Sequence, residues 1–189
     1  MPAAGRDPTR APVDVRVGGV ADAAACAAVY APYVRDTVVS FEAEPPTPAQ
    51  MAERIAAALV AHTWLVAQVP AGAPDAGRVV GYAYAGPLAA RPAYRWACET
   101  SVYLEPGTLR RGTGRALYTA LLDRLTAMGY RQAVGVYAEP NPASAGLHAA
   151  LGFEVVGTHR AIGFKHGAWH DVTRVQRPLG PGGTTPPSG

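Results

Sequence analysis

Three places in this chain carry side chains whose types and spacing could do chemistry. The first is Glu99, in the run Trp-Ala-Cys-Glu-Thr-Ser-Val-Tyr-Leu at 96–104, where β-branched and aromatic residues alternate as in a strand and one carboxylate breaks the apolar pattern. A carboxylate on a central strand is expensive to bury. It should therefore be a satisfied acceptor, or be desolvated, raised in pKa and suited to taking a proton. The second is the turn Arg110, Arg111, Gly112, Thr113, Gly114, Arg115 that follows. Its glycines let backbone fold closely around a ligand, the free N–H groups opening the next helix point at an anion, and three guanidiniums add positive charge. The spacing matches neither Gly-x-Gly-x-x-Gly nor a Gly-Lys-Ser/Thr ending. The third is His148, seven residues beyond Asn141, whose imidazole can move a proton near neutral pH. On the residues alone each has a plainer alternative: an exposed strand glutamate, an ordinary strand-to-helix turn, and a helix histidine packed between Leu147 and Leu151.

The elements that must hold these groups follow from periodicity and punctuation. Alternation predicts strands at 13–17, 64–69, 78–85, 96–104 and 132–138, with two more near 154–164 and 169–177. Helices are expected over 20–33, from Pro48 to about Ala61, after Gly114, and in a short segment around Leu147, His148 and Leu151. Thr47 followed three residues later by Gln50, with Pro48 between, is a capping-box start. Leu117, Leu121, Leu125 and Met128 fall on one face of the helix that opens at the glycine turn. The loop 36–46 carries Phe41, followed by Glu42 and Glu44, and 86–94 is a second loop. Strands and helices in this order indicate an α+β mixed sheet. Residues 13–178 form one expected domain, and 1–12 and 179–189, rich in Pro, Gly, Ala and Thr, are expected to be disordered tails.

Composition narrows the function classes. The chain has 189 residues, 49% hydrophobic, enough for one substantial core. Its formal charge of +3 comes from dispersed arginines with no basic run, which excludes an obvious nucleic-acid surface. Lysine occurs once, at Lys165, and reads as compositional bias. Cys26 and Cys98 form no Cys-x-x-Cys pair, so neither a zinc ribbon nor a disulfide framework is expected. His166 and His170 stand four apart, but the intervening Gly167-Ala168-Trp169 is turn-like, and no metal site is expected. No signal peptide is evident, and no apolar run nears the roughly 18 residues of a membrane span, so a cytoplasmic protein without a membrane partner is expected.

Several segments taken together resemble the GNAT superfamily of N-acetyltransferases, and more closely the phosphinothricin N-acetyltransferases. They are Ser-Phe-Glu-Ala-Glu-Pro at 40–45, Ala-Tyr-Ala-Gly-Pro at 83–87, Ala93-Tyr94, Glu99 to Tyr103, and Gly-Phe-Lys-His-Gly-Ala-Trp-His-Asp at 163–171. The last is the most specific, and together the segments span about 13–179. The resemblance implies a GNAT fold with a mixed, mostly antiparallel sheet flanked by helices and a strand-turn-helix site for acetyl-CoA, used as co-substrate without a metal. It implies acetyl transfer to the α-amine of phosphinothricin or a similar small amino-acid analogue, by direct attack, with Glu99 as general base and His148 protonating the CoA thiolate. Val102, Tyr103 and Leu104, the turn from Arg110 to Arg115, Asn141 and Ser144 would hold the cofactor. Phe41, Arg91, Tyr94 and Tyr137 would line the acceptor site, with Arg91 recognising an acidic group. Relatives of this kind are commonly homodimers, and the 163–171 segment is placed near the active site.

Two positions depart from the pattern. Leu109 replaces the usual Gln or Arg three residues before Gly112, and Ala89 stands where herbicide-resistance enzymes carry lysine. The loss at 89 removes one cationic anchor and leaves methionine sulfoximine, or another small amine, open as acceptor. A non-catalytic acyl-CoA-binding sensor is the alternative from a different class.

Overall fold

In the computed structural model, residues 13–108 and 112–185 are described; Leu109, Arg110 and Arg111, two of them expected cofactor contacts, lie outside them. In chain order the elements are β1 (Asp14–Val17), α1 (Ala23–Asp36), α2 (Pro48–Ala61), β2 (Trp64–Gln68), β3 (Val79–Pro87), β4 (Ala97–Leu104), α3 (Thr113–Ala127), β5 (Gln132–Ala138), α4 (Pro142–Ala150), β6 (Glu154–Lys165) and β7 (Ala168–Pro178). The strands form one seven-stranded sheet in the order β1-β2-β3-β4-β5-β7-β6. Among the described residues only β4 and β5 run parallel; every other pairing is antiparallel.

Helices cover both faces, so the inner strands are apolar on both sides. Along β2, Leu65 and Ala67 join one core with Leu117, Tyr118, Leu121, Leu122 and Leu125 of α3. Trp64 and Val66 point the other way, into a second core with Val29 and Tyr30 of α1 and Met51 and Ile55 of α2. The capping box forms as the sequence indicates: Gln50 N donates to Thr47 Oγ1 at 3.2 Å, and Thr47 N donates to Gln50 Oε1 at 2.8 Å.

The expected boundaries move in four places. Met128 leaves the apolar stripe and is 43% exposed, because α3 ends at Ala127 and the stripe is completed by Tyr118 and Leu122. Strand β3 runs on to Pro87, since its antiparallel register with β4 continues to Cys98. The segment Val20–Asp22 is a 3-10 turn, and α1 continues to Asp36. Packing also extends past 178: Leu179 is buried and its N–H donates to Arg131 O at 2.9 Å.

Candidate active site

The parallel pairing of β4 with β5 runs from Ala97 opposite Gln132 to Thr100 opposite Gly135 and then stops. Beyond it the two strands part. Their facing edges carry backbone donors and acceptors that an extended ligand can pair with. Ser101, Val102, Tyr103, Val136, Tyr137, Asn141, Ser144 and His148 line the small cleft between them, about 50 Å³. The expected contacts Val102, Tyr103, Asn141 and Ser144 are thus brought together here. Leu104 faces the core, and its carbonyl already accepts a hydrogen bond from Tyr33 Oη at 2.6 Å. Asn141 Oδ1 caps α4 by accepting from Ser144 N at 3.0 Å.

At the same end of the sheet, α3 opens on Gly112, whose φ of 77° is left-handed and favours glycine. The first helical hydrogen bond runs from Ala116 N to Gly112 O, so the N–H groups of Thr113, Gly114 and Arg115 have no partner within the helix and can meet an anion. A side chain at Gly114 would press on Leu104 at 3.2 Å, so the backbone there is close-packed against β4. Arg115 is exposed beside it.

Glu99 corrects one expectation. Its side chain is 43% exposed, with Arg174 Nη1 4.0 Å from its carboxylate, so the burial on which a desolvated carboxylate was argued is missing. The reason is its neighbour across the ladder, Gly86, which offers no side chain to cover it. Alternation along β4 puts Glu99 on the face of α1 and α2, with Tyr103, while Cys98 and Thr100 face α3.

His148 stands on the other face and is buried at 5% exposure. Its Nδ1 lies 2.8 Å from Ser144 O and 3.2 Å from Ser144 Oγ, and its Nε2 is 3.1 Å from Tyr118 Oη. Tyr137 stacks on the ring and Phe153 meets it edge-on. A Cβ at Gly135 would collide with the ring, so glycine there makes room for it. Burial pushes the imidazole below its ordinary pKa, and the Ser144 carbonyl opposes that shift.

On the acceptor side, Phe41 is 42% exposed and lies over Gly163 of β6, near His170. Its loop is pinned by the single lysine: Lys165 Nζ donates to Val34 O, at the end of α1, and to Ser40 O, both at 2.6 Å. The compositional reading of Lys165 missed this role. Arg91 and Tyr94 line a separate hollow of about 200 Å³ with His62 and Tyr130, not the cleft that holds Tyr137 and His148. On Glu99's face, Tyr30, Met51, Arg54, Trp64, Tyr82 and Tyr84 surround about 280 Å³. Sequence reasoning passed over Arg54, which forks onto Glu42 at 2.8 and 2.9 Å; the pair holds the Glu42 carboxyl below its usual range. It also passed over Tyr118, which reads as one more apolar residue of the α3 stripe. Among the described residues no group of three His, Cys, Asp or Glu side chains could hold a metal, and no helix is long and apolar enough to cross a membrane.

The GNAT acetyltransferase domain matches residues 16–173. A phosphinothricin N-acetyltransferase of Streptomyces viridochromogenes is 42% identical, over 90% of each chain. An L-methionine sulfoximine/L-methionine sulfone acetyltransferase of Pseudomonas paraeruginosa is 34% identical, over 91% of this chain and 98% of that one. Among solved structures, the phosphinothricin acetyltransferase of Sinorhizobium meliloti in complex with AcCoA superposes with a TM-score of 0.86 at 40% identity, covering 94% of each chain. Parted strands, a glycine-opened helix and these likenesses over nearly the whole length agree: the chain belongs to the GNAT family and is an acetyl-CoA-dependent acyltransferase.

Proposed function

We propose that the protein acetylates the α-amine of a small amino-acid analogue, phosphinothricin or methionine sulfoximine, by direct attack in a ternary complex. The observation that carries this reading is the cleft where β4 and β5 part, lined by His148, with Glu99 on the opposite face of β4 at the last-but-one paired position before the parting. When bound, acetyl-CoA supplies an acetyl group activated as a thioester. The turn at Gly112–Arg115 and the free amides of α3 hold its phosphates, and the cleft edges with Asn141 and Ser144 hold its arm. Glu99, open to solvent and to an entering amine, takes the proton the amine must lose; access replaces desolvation as the argument for it. His148 gives a proton to the departing sulfur. Tyr137 and Phe41 wall the acceptor; for Arg91 and Tyr94, which line a separate hollow, recognition of its acidic end rests on the family pattern at 91 and 94 alone.

The exposed apolar side chains of β6 and β7, among them Val155, Ile162, Phe164 and Trp169, support a homodimer in which this sheet edge is covered by a second copy. The two free, buried cysteines support a cytoplasmic site of action.

The test is CoA release, followed with a thiol reagent, from acetyl-CoA and purified protein with each acceptor in parallel. Saturable release with phosphinothricin at low concentration establishes the acceptor and shows that Ala89 is tolerated. Release with methionine sulfoximine alone transfers the assignment to it. Tight CoA binding with no release on any amine overturns catalysis in favour of a sensor.

A further inference from the structure

We infer that Arg174 receives the α-carboxylate of the acceptor while the neighbouring Glu99 receives its α-ammonium, so that the site selects free α-amino acids over simple amines, esters and amides. This rests on the acetyl-transfer reading and adds to it the group that recognises the end of the acceptor bearing the reacting nitrogen. Arg174 lies on β7 opposite Val136, the first residue of β5 beyond the parallel pairing with β4. Glu99 lies opposite Val134, two residues earlier on β5, so the two side chains share one face of the sheet. Arg174 leans one row back along that face, and its Nη1 comes to 4.0 Å from Glu99 Oε2.

Among the described residues, Arg16, Arg54, Arg78 and Arg160 each reach a carboxylate at 2.6–2.8 Å, within hydrogen-bond range. Arg174 stops short of its own. Both side chains of the Arg174–Glu99 pair are open to solvent, at 42% and 43% exposure, and among the described residues neither hydrogen-bonds another side chain. An exposed pair of this kind contributes little to stability, and both groups keep their hydrogen-bonding capacity for a ligand. An α-amino acid carries the complement, an ammonium and a carboxylate on one carbon. Laid against the pair, its ammonium meets Glu99 and its carboxylate takes two parallel N–H donors of the guanidinium, each charge beside its opposite.

Two further cations on this side of the sheet are already engaged. Arg54, at the aromatic hollow, gives Nη1 and Nη2 to Glu42 at 2.8 and 2.9 Å, and Lys165 gives its Nζ to the carbonyls of Val34 and Ser40. Arg91 lines the separate hollow with His62, so the family pattern there concerns a different part of the acceptor. Holding the carboxylate at Arg174 keeps the adjacent nitrogen within reach of the base. A simple amine has nothing to offer the guanidinium, and an α-carboxamide or ester, being uncharged, leaves Arg174 to Glu99.

The experiment measures CoA release from acetyl-CoA with a panel of free α-amino acids that includes phosphinothricin and methionine sulfoximine, each beside its α-carboxamide. Wild type, Arg174→Gln and Arg174→Lys are compared in the full chain. Wild type should prefer each accepted acid over its amide by about thirtyfold in kcat/KM, mainly through KM. Arg174→Gln should raise KM for the acids by a similar factor and remove most of the preference. Arg174→Lys keeps the charge without the fork and should lose the preference severalfold. Equal use of acids and amides by wild type, or a wild-type preference in Arg174→Gln, overturns the assignment and leaves acetyl transfer standing. Should Arg174→Gln not fold, a wild-type preference in Arg174→Lys overturns it as well. Release with no acceptor at all would overturn the acetyl-transfer reading itself, and this assignment with it.

Discussion

Exposure at Glu99 and burial at His148 set how single substitutions should behave. Glu99→Gln keeps the shape of a side chain that makes one distant ion pair, so acetyl-CoA affinity should be retained while turnover falls about a hundredfold at neutral pH; CoA release and equilibrium binding read the two separately. Equal turnover would take Glu99 out of the mechanism. For His148 the folded pKa lies below that of the unfolded chain, whose histidine takes up protons from about 6.5 downward. The unfolded state then binds more protons, so this contribution is present above about pH 6.5 and is lost as pH falls below it. Thermal melts should show that loss in wild type and a flatter profile in His148→Phe. Glu99, His148 and Gly112 stand out in the sequence because each breaks the pattern around it, although the exposure of Glu99 is not visible there. Tyr118, Arg54 and Lys165 were not, because an aromatic in an apolar stripe and cations near a loop look ordinary until their partners, far away in the chain, are known.

Periodicity placed every strand and helix that frames the cleft, since both covered faces of the sheet demand apolar runs. It could not show where β4 and β5 cease to pair, because that depends on two segments more than thirty residues apart. Two contacts between elements give further tests. Gly135→Ala drives a methyl from β5 into the His148 ring; it should destabilise the fold by about 1–3 kcal/mol in denaturant melts and lower turnover as His148→Phe does. Lys165→Met leaves the carbonyls of Val34 and Ser40 without their donor and frees the loop bearing Phe41. Its KM for the acceptor should rise severalfold while acetyl-CoA binding is kept, and an unchanged acceptor KM would separate that loop from recognition.

For the molecule as a whole, the long outer strand β6 should govern assembly. Replacing Phe164 and Trp169 together with glutamate places charge on the apolar edge and should yield monomers by light scattering; an unchanged mass would locate any dimer elsewhere. The sheet has a further effect on catalysis. On the proposed roles, a proton is surrendered to the wet side at Glu99 and withdrawn from the sealed side at His148, so every turnover carries charge across the sheet in one sense. The wet side empties into bulk water at once, while the buried side is refilled by way of the cleft that Ser144 and His148 line, once the spent cofactor has left it.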